Sequence, residues 1–568
     1  MAPSTANGSL AGAKLHGRAF YESIGSPKFV LAPMVDQSEF AWRMLTRSFL
    51  TPAENAKLLA YTPMLHARLY EETAKYRESH FEATRPPESH PGATSPAPSL
   101  EPSVPFLDGN PALDRPLFVQ FCANDPEHLL GAARLVAPYC DAVDLNLGCP
   151  QGIARRGHYG AFLQEDQELI YNLINTLHKN LPVPVTAKIR ILETKEDTLA
   201  YAKNVLAAGA SIITVHGRRR EQKGHMTGLA DWEYLRYLRE NLPKETVIFA
   251  NGNVLQHGDL EMCLEATGAD AVMSAEGNLS DPGIFAEPPA PGQEGREYWR
   301  GIDGKGGWRI DAVFRRYMDI IHRHAFQREP PTRRPLFVVG DDEGWLVEDG
   351  KEGGQEEEGP ARKKRKRDGG GKNEKCTSPN VIGMRPHLFH LMRHLISIHT
   401  DIRDALARCH VGDIPTIEKI LDMVERRVAQ GLIEYERTGG ESIKTPEPEP
   451  KVEGDLAAES AGTGDVGGRD HDPESSVATV KKCKRPWWVA QPIVRPLPKE
   501  ALANGSISLS KKEKRKQEEA AAAAAHADGH TEVDAIDQRQ SSSSVEGIKD
   551  TTANMGKPAA TTSGLVCG

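Results

Sequence analysis

The run from Asp141 to Pro150, Asp-Ala-Val-Asp-Leu-Asn-Leu-Gly-Cys-Pro, sets a single thiol on a turn at the end of an apolar stretch. Ala142, Val143 and Leu145 suit an internal parallel strand, Asn146 sits at its carboxyl end, and Gly148 and Pro150 break the backbone around Cys149. Chemistry in parallel sheets and barrels gathers beyond the carboxyl ends of the strands, so Cys149 stands where a reacting group is expected. A lone cysteine is more often a small buried apolar residue. The flanking Gly and Pro tip the balance toward a functional thiol on a loop.

Other strand ends carry a matching set: Pro33-Met34, Gln120, Lys188 with Arg190, His216 with Arg218, Asn251-Gly252-Asn253, and Ala275-Glu276-Gly277. Lys188 interrupts the apolar run Val185 to Ile189, where a charge is costly to bury unless it meets an anion or an electron-rich ring. Gln120 or His216 alone is an ordinary polar strand terminus; together with the others they describe one rim. The small residues at 251–253 and 275–277 let backbone N–H groups approach a phosphate, and in many barrels a cofactor phosphate sits in the loops after strands seven and eight. A phosphate-bearing ring cofactor such as a flavin is the leading ligand. Gly304-Lys305-Gly306-Gly307 follows no strand and reads as a loop, so no separate dinucleotide-binding domain is expected.

The elements that must position this rim alternate regularly. Strands are predicted at 29–33, 58–61, 117–121, 142–146, 185–190, 212–216, 247–251 and 270–274, with helical patterns at 38–50, 65–77, 126–137, 163–178, 196–208, 232–241 and 255–266. Eight such alternations fit a closed (β/α)8 TIM barrel over residues 28–325, whereas an open Rossmann sheet usually stops near six strands. Residues 82–115, rich in Pro, Ser and acidic residues, read as a disordered insertion. A polar segment, 1–27, precedes the barrel. After it come a charged linker (340–380), a small all-α helical domain (381–437), a disordered acidic segment (438–480), a basic Trp-containing segment (481–498) and a low-complexity tail (499–568). Arg393, His394, Arg403, Arg408, Arg426 and Arg427 form a candidate phosphate-binding face on the helical domain. Trp487 and Trp488 could either cover the barrel or stack on RNA. A helix is predicted from Lys511 to about Ala525.

Bulk properties bound the alternatives. A chain of 568 residues is too long for one core. The net charge of −9 with 6% aromatics argues against a uniformly basic nucleic-acid coat, yet it hides the run Arg362-Lys-Lys-Arg-Lys-Arg367. That run reads as a nuclear-import signal or a nucleic-acid-binding linker, placing the protein in nucleus, cytoplasm or both. Eight cysteines without a C-x-x-C pair or a zinc-like cadence predict reduced thiols and no metal site. No signal peptide or membrane-spanning apolar run is legible. The chain is expected to act as a monomer.

Taken together, Leu-Ala-Pro-Met (31–34), Val-Gln-Phe (119–121), Asp-Leu-Asn-Leu-Gly-Cys-Pro (144–150), Ala-Lys-Ile-Arg (187–190), Thr-Val-His-Gly-Arg (214–218), Ala-Asn-Gly-Asn (250–253) and Ser-Ala-Glu-Gly (274–277) resemble the tRNA-dihydrouridine synthases, in order, over residues 28–290. Ala275-Glu276-Gly277 and Lys484-Arg485-Pro486-Trp487-Trp488 look most like the eukaryotic branch acting on positions 16 and 17 of tRNA. The resemblance implies FMN, with Pro33 and Met34 under the ring, Gln120 and Lys188 at its polar edge and His216 beside it. Asn251, Gly252, Asn253, Ala275 and Glu276 then fall at the phosphate-side loops. It further implies Cys149 as proton donor to the base, Asn146, Arg190 and Arg218 near base or ring, NADPH (or NADH) as reductant, and tRNA as partner. Bacterial relatives usually carry Gly-Arg where this chain has Ala275-Glu276, so an arginine contact to phosphate is not carried over. Two competitors remain: an FMN barrel acting on a free small molecule, and a protein that binds RNA without turning it over.

Overall fold

Every barrel strand is short and buried along nearly its whole length, the pattern of strands covered on both faces. In the computed structural model, which describes residues 14–85, 104–347, 378–443 and 475–503 with 505 and 515, eight of them close into one ring. They are β1 (Phe29–Leu31), β2 (Leu58–Tyr61), β3 (Leu117–Cys122), β4 (Ala142–Leu147), β5 (Val185–Arg190), β6 (Ile212–His216), β7 (Val247–Asn251) and β8 (Ala271–Ser274). All neighbours are parallel, and the ring shuts where Phe29 of β1 pairs with Val272 of β8. A two-residue strand, Leu65–His66, adds to the end of β3.

The connecting helices start where the sequence provides a cap. Asp125, Asp166, Thr194 and Asp231 each accept backbone N–H bonds at the first turn of the helices Pro126–Val136, Gln167–Asn180, Lys195–Ala207 and Trp232–Asn241. Each helix then buries one face on the ring. Leu129, Ala133 and Val136, or Ile170, Leu173, Ile174 and Leu177, are fully or nearly fully buried at helical spacing.

Three local expectations are corrected. Residues 104–115 and 82–85, assigned to a disordered insertion, include an antiparallel bridge between Thr84 and Pro105 and two buried carboxylates, Asp108 and Asp114, that hold Arg43. Their partner lies on the helix Phe40–Arg47, so composition alone could not reveal the pairing. Gly304 to Gly307, expected as a loop, forms the turn and part of the second strand of a hairpin, β9 (Tyr298–Arg300) with β10 (Gly306–Trp308). Two glycines in a three-residue strand leave no hydrophobic alternation to read. Residues 475–483, assigned mostly to an acidic disordered segment, include the helix Ser476–Cys483, capped by the Ser475 hydroxyl.

After the barrel, Ile310–Ile320 packs against the long helix Ile414–Arg437. The helical domain expected over 381–437 is present, and four of its helices are Met384–Leu391, Arg393–Ile398, Thr400–Arg408 and Ile414–Arg437. Non-helical dihedrals at His399 and a bend at Met392 interrupt the first three without disturbing the apolar period. The Trp segment lies down on this assembly. Trp488 is 1% exposed and meets Trp299 and Tyr435 edge-on, its carbonyl accepts the Ile310 N–H, and Ala490 N–H donates to Trp308. Of the two roles considered for that segment, Trp488 takes the covering one. The run Arg362 to Arg367, residues 444–474 and nearly all of the tail lie outside the described residues.

Candidate active site

Residues two apart on a strand share a face, so the strand ends fix which side chains enter the barrel mouth. On β4 these are Asp144 and Asn146, on β5 Thr186, Lys188 and Arg190, and on β6 Thr214 and His216. Register then sets neighbours: Asn146 lies beside Lys188, Lys188 beside Thr214, Arg190 beside His216, and His216 beside Asn251 of β7. All of these side chains are at least nine-tenths buried.

The first group is a hydrogen-bonded chain. Asn146 Nδ2 donates to Gln120 Oε1 at 2.7 Å, Gln120 Nε2 donates to Asp144 Oδ2 at 2.7 Å, and Thr186 Oγ1 donates to Asp144 Oδ1 at 2.6 Å. The backbone N–H of Gln120 donates to Thr62 Oγ1. Burial pushes the Asp144 carboxyl up to about 6, against the pull of Thr186, Gln120 and Lys188. Neither Asp144 nor Thr186 was singled out in the sequence. Asp144 was findable, because it sits two residues before Asn146 and must share its face.

The same Asn146 holds the thiol loop. Its Oδ1 accepts the N–H groups of Gly148 (3.1 Å) and Cys149 (2.9 Å), while Arg190 Nε donates to the Gly148 carbonyl at 2.7 Å. Cys149 is 3% exposed and packs with Cys122, Ala154 and Tyr159 in a small apolar cluster separate from the barrel core, with Met64 and Phe162 against it. The loop folds back at Gly160, whose φ is 64° and where an added Cβ would lie 2.9 Å from the Cys149 Cβ. Burial pushes the Cys122 thiol up to about 12 and raises the Tyr159 phenol as well. At the end of β1, Met34 is fully buried, its N–H donating to Ser38 Oγ beside Pro33.

The second group lies at the ends of β6, β7 and β8. Arg218 Nη1 is 3.1 Å from His216 Nε2, and Arg218 Nη2 donates to Asn253 Oδ1 and to the Gly228 carbonyl, each at 3.0 Å. A guanidinium can only donate, so His216 Nε2 is the acceptor and its Nδ1 carries the proton. Burial and the cations Arg190, Lys188 and Arg218 hold the imidazole well below the usual range, hence neutral. That Nδ1–H is buried and without a hydrogen-bond partner among the described residues, as is the Asn251 Oδ1, whose amide N–H donates to the Met273 carbonyl. Gly252 (φ 115°) and Asn253 (φ 62°) turn the loop, and a Cβ at Gly252 would come within 2.6 Å of Ala230. Glu276 accepts from Arg495 Nη2 at 2.6 Å. Arg495 lies 219 residues away in sequence, and no sequence pattern pointed to it.

Leaving a buried donor or acceptor unsatisfied costs about 1–3 kcal/mol each, so two of them side by side at a strand-end rim mark a place built to be filled. The dihydrouridine synthase (Dus) family model matches residues 30–298, which span all eight strands and every residue just described except Arg495. The tRNA-dihydrouridine(16/17) synthase [NAD(P)(+)] of Schizosaccharomyces pombe is 38% identical over 493 residues, covering 86% of this chain and 93% of that protein. The chain belongs to the dihydrouridine synthase family. The Saccharomyces cerevisiae protein of the same name is 54% identical over 318 residues, 56% of this chain and 66% of that one. A Mus musculus relative, tRNA-dihydrouridine(16/17) synthase [NAD(P)(+)]-like, is 44% identical over 289 residues, 50% of this chain and 54% of its own length. Within the family frame, the strand-end residues read from sequence converge as two bonded groups, Gln120 with Asn146 and His216 with Arg218 and Asn253, while Ala275 and Glu276 close the corner after β8.

Proposed function

We propose that this protein reduces uridine to 5,6-dihydrouridine in the D-loop of tRNA, at positions 16 and 17, using FMN and a nicotinamide dinucleotide, NADPH or NADH. The names of its relatives support the substrate. The buried His216 Nδ1–H and Asn251 Oδ1 support the cofactor, because a ring bearing both carbonyl and N–H groups satisfies a donor and an acceptor on adjacent strands. That pair of atoms is the observation that carries the reading.

Saturating the uracil 5,6 double bond requires a hydride at C6 and a proton at C5. FMN, once reduced, supplies the hydride. The residues of this chain do the rest. Lys188 places a positive charge beside Asn146 and Thr214, where it stabilises negative charge that develops on an electron-accepting ring. Cys149 donates the proton. Asn146 and Arg190 are positioning residues: they clamp the two N–H groups and the carbonyl that set the direction of the thiol loop. Met34 and Pro33 form the apolar floor at the end of β1. A uridine within folded RNA must be extruded to reach this mouth, at a cost of a few kcal/mol that contacts elsewhere on the protein offset.

Cys149→Ala tests the assignment. The variant should purify yellow, with the wild-type flavin spectrum, and form dihydrouridine about 100-fold more slowly or worse, the usual scale of a lost general acid. Dihydrouridine formation at the wild-type rate, read by mass spectrometry of tRNA, would remove Cys149 from the reaction. Equal turnover of free uridine and tRNA would point instead to a small-molecule substrate.

A further inference from the structure

The loop after β8 presents a carboxylate, Glu276, at the corner where the FMN phosphate is expected. Its balancing cation comes from the far end of the chain. Residues 484–495 run as a strap from the β9–β10 hairpin to the barrel mouth, held by the buried Trp488, by Ala490 N–H on the Trp308 carbonyl and by Gln491, whose amide bonds Arg485 and Pro486. At the strap's end Arg495 meets Glu276. Just beyond, the helix Pro498–Ala503 packs against the turn Gly224–Met226, and a Cβ added at Gly228, whose carbonyl accepts from Arg218, would lie 3.8 Å from Pro498.

Two arginines therefore bracket one corner, each bound to a loop that follows β7 or β8: Arg218 to Asn253, and Arg495 to Glu276. Burial first, then the like charges of Arg190 and Arg495, bring the Arg218 guanidinium down to about 10, with Glu276 opposing them. Concentrating buried and half-buried cations is unfavourable unless an anion joins them. Holding the strap down does not explain Arg495. The Arg495 and Glu276 side chains are 38% and 24% exposed, and an ion pair of that kind contributes about 0–1 kcal/mol, less than burying one tryptophan.

We propose that Arg495 is a cofactor-phosphate residue supplied by the carboxyl-terminal strap: with Arg218 it faces the phosphate monoester of FMN at the ends of β7 and β8, and Glu276 orients its guanidinium. The barrel completes its own cofactor site only when the strap is in place. This rests on the FMN reading and adds to it a residue outside the family-matched segment.

The experiment uses the full-length protein stripped of flavin, titrated with FMN and with riboflavin, which lacks the phosphate, while flavin fluorescence is followed. Arg495→Ala should weaken FMN about tenfold or more, the value of a lost charge-assisted hydrogen bond, and leave riboflavin unchanged. Arg495→Lys should recover most of the preference for FMN. Arg495→Gln carries the same test if the alanine variant does not fold. An unchanged FMN affinity, or equal weakening of both flavins, overturns the proposal. So does an unchanged FMN affinity joined to weaker tRNA binding in a gel shift, which assigns Arg495 to an RNA phosphate. A wild-type protein that binds neither flavin defeats the FMN reading itself.

Discussion

Asp144 shows how one residue can set a pH dependence for the fold. It is fully buried, bonded to Gln120 and Thr186, and pushed up to about 6, from about 3.9 in an unfolded chain. Below about pH 4 the carboxyl is protonated in both states and its contribution to stability is fully present. Between about 4 and 6 the unfolded chain releases the proton while the fold retains it, and above about 6 the contribution is gone. Asp144→Asn removes this titration. Between pH 4 and pH 7 the stability of the variant relative to wild type should therefore rise by about 2 kcal/mol, measured by denaturant unfolding at each pH. A difference that stays flat across that range would show that Asp144 remains ionised in the fold. His216 acts in the opposite sense: burial and its cationic neighbours keep it neutral in the fold, so its contribution is full above about pH 7 and falls as the unfolded chain's imidazole, of pKa about 6.5, takes up a proton, a term that cancels when variant and wild type are compared.

At the scale of elements, a return strand of sequence is pinned by charge. Arg43, on the helix after β1, is wholly buried and donates to Asp114 at 2.9 and 2.5 Å and to Asp108 at 2.7 Å. Arg43→Met keeps the volume and leaves two buried carboxylates without their cation, which should cost about 3–5 kcal/mol. The triple variant Arg43→Met, Asp108→Asn, Asp114→Asn should recover most of that loss in the same thermal-unfolding assay. Failure to recover would mean that packing by the arginine stem, not charge, holds the segment. This interaction also marks the limit of reading the chain from sequence. The eight strands and the helices between them were legible because each is short-range periodic. The rim residues Gln120, Asn146, Lys188 and His216 were legible because a polar group at the end of an apolar strand has few other reasons to be there. Asp108, Asp114 and Arg495 were not legible, because each owes its place to a partner on another element. Gly306 and Gly307 were missed for the opposite reason, having no side chain to show a period.

For the molecule as a whole, the question is how a helical region about 100 residues beyond the last barrel strand stays in register with the barrel mouth, a separation visible in the chain as Ser274 to about His387. The answer runs through the loops that bear the site. Glu39, five residues after Met34, accepts from His387 Nε2 at 3.0 and 2.9 Å, and the His387 ring stacks on Trp42 at 4.0 Å with planes 6° apart. Trp42 Nε1 in turn donates to Asn278 Oδ1 at 2.8 Å, in the segment just after Ala275 and Glu276. One buried histidine thus ties the helical region to the loops after β1 and β8 together. His387→Phe preserves the stack on Trp42 and leaves the Glu39 carboxylate buried without that donor, so it should lower stability by about 3 kcal/mol or more. His387→Phe with Glu39→Gln should restore much of it. The functional readout separates this from simple loosening: if the helical region is what holds tRNA over the mouth, His387→Phe at a temperature where it remains folded raises KM for tRNA while flavin content stays at the wild-type level. Loss of flavin in parallel with the rise in KM would instead mean that the loops after β1 and β8 depend on the helical region for their own conformation.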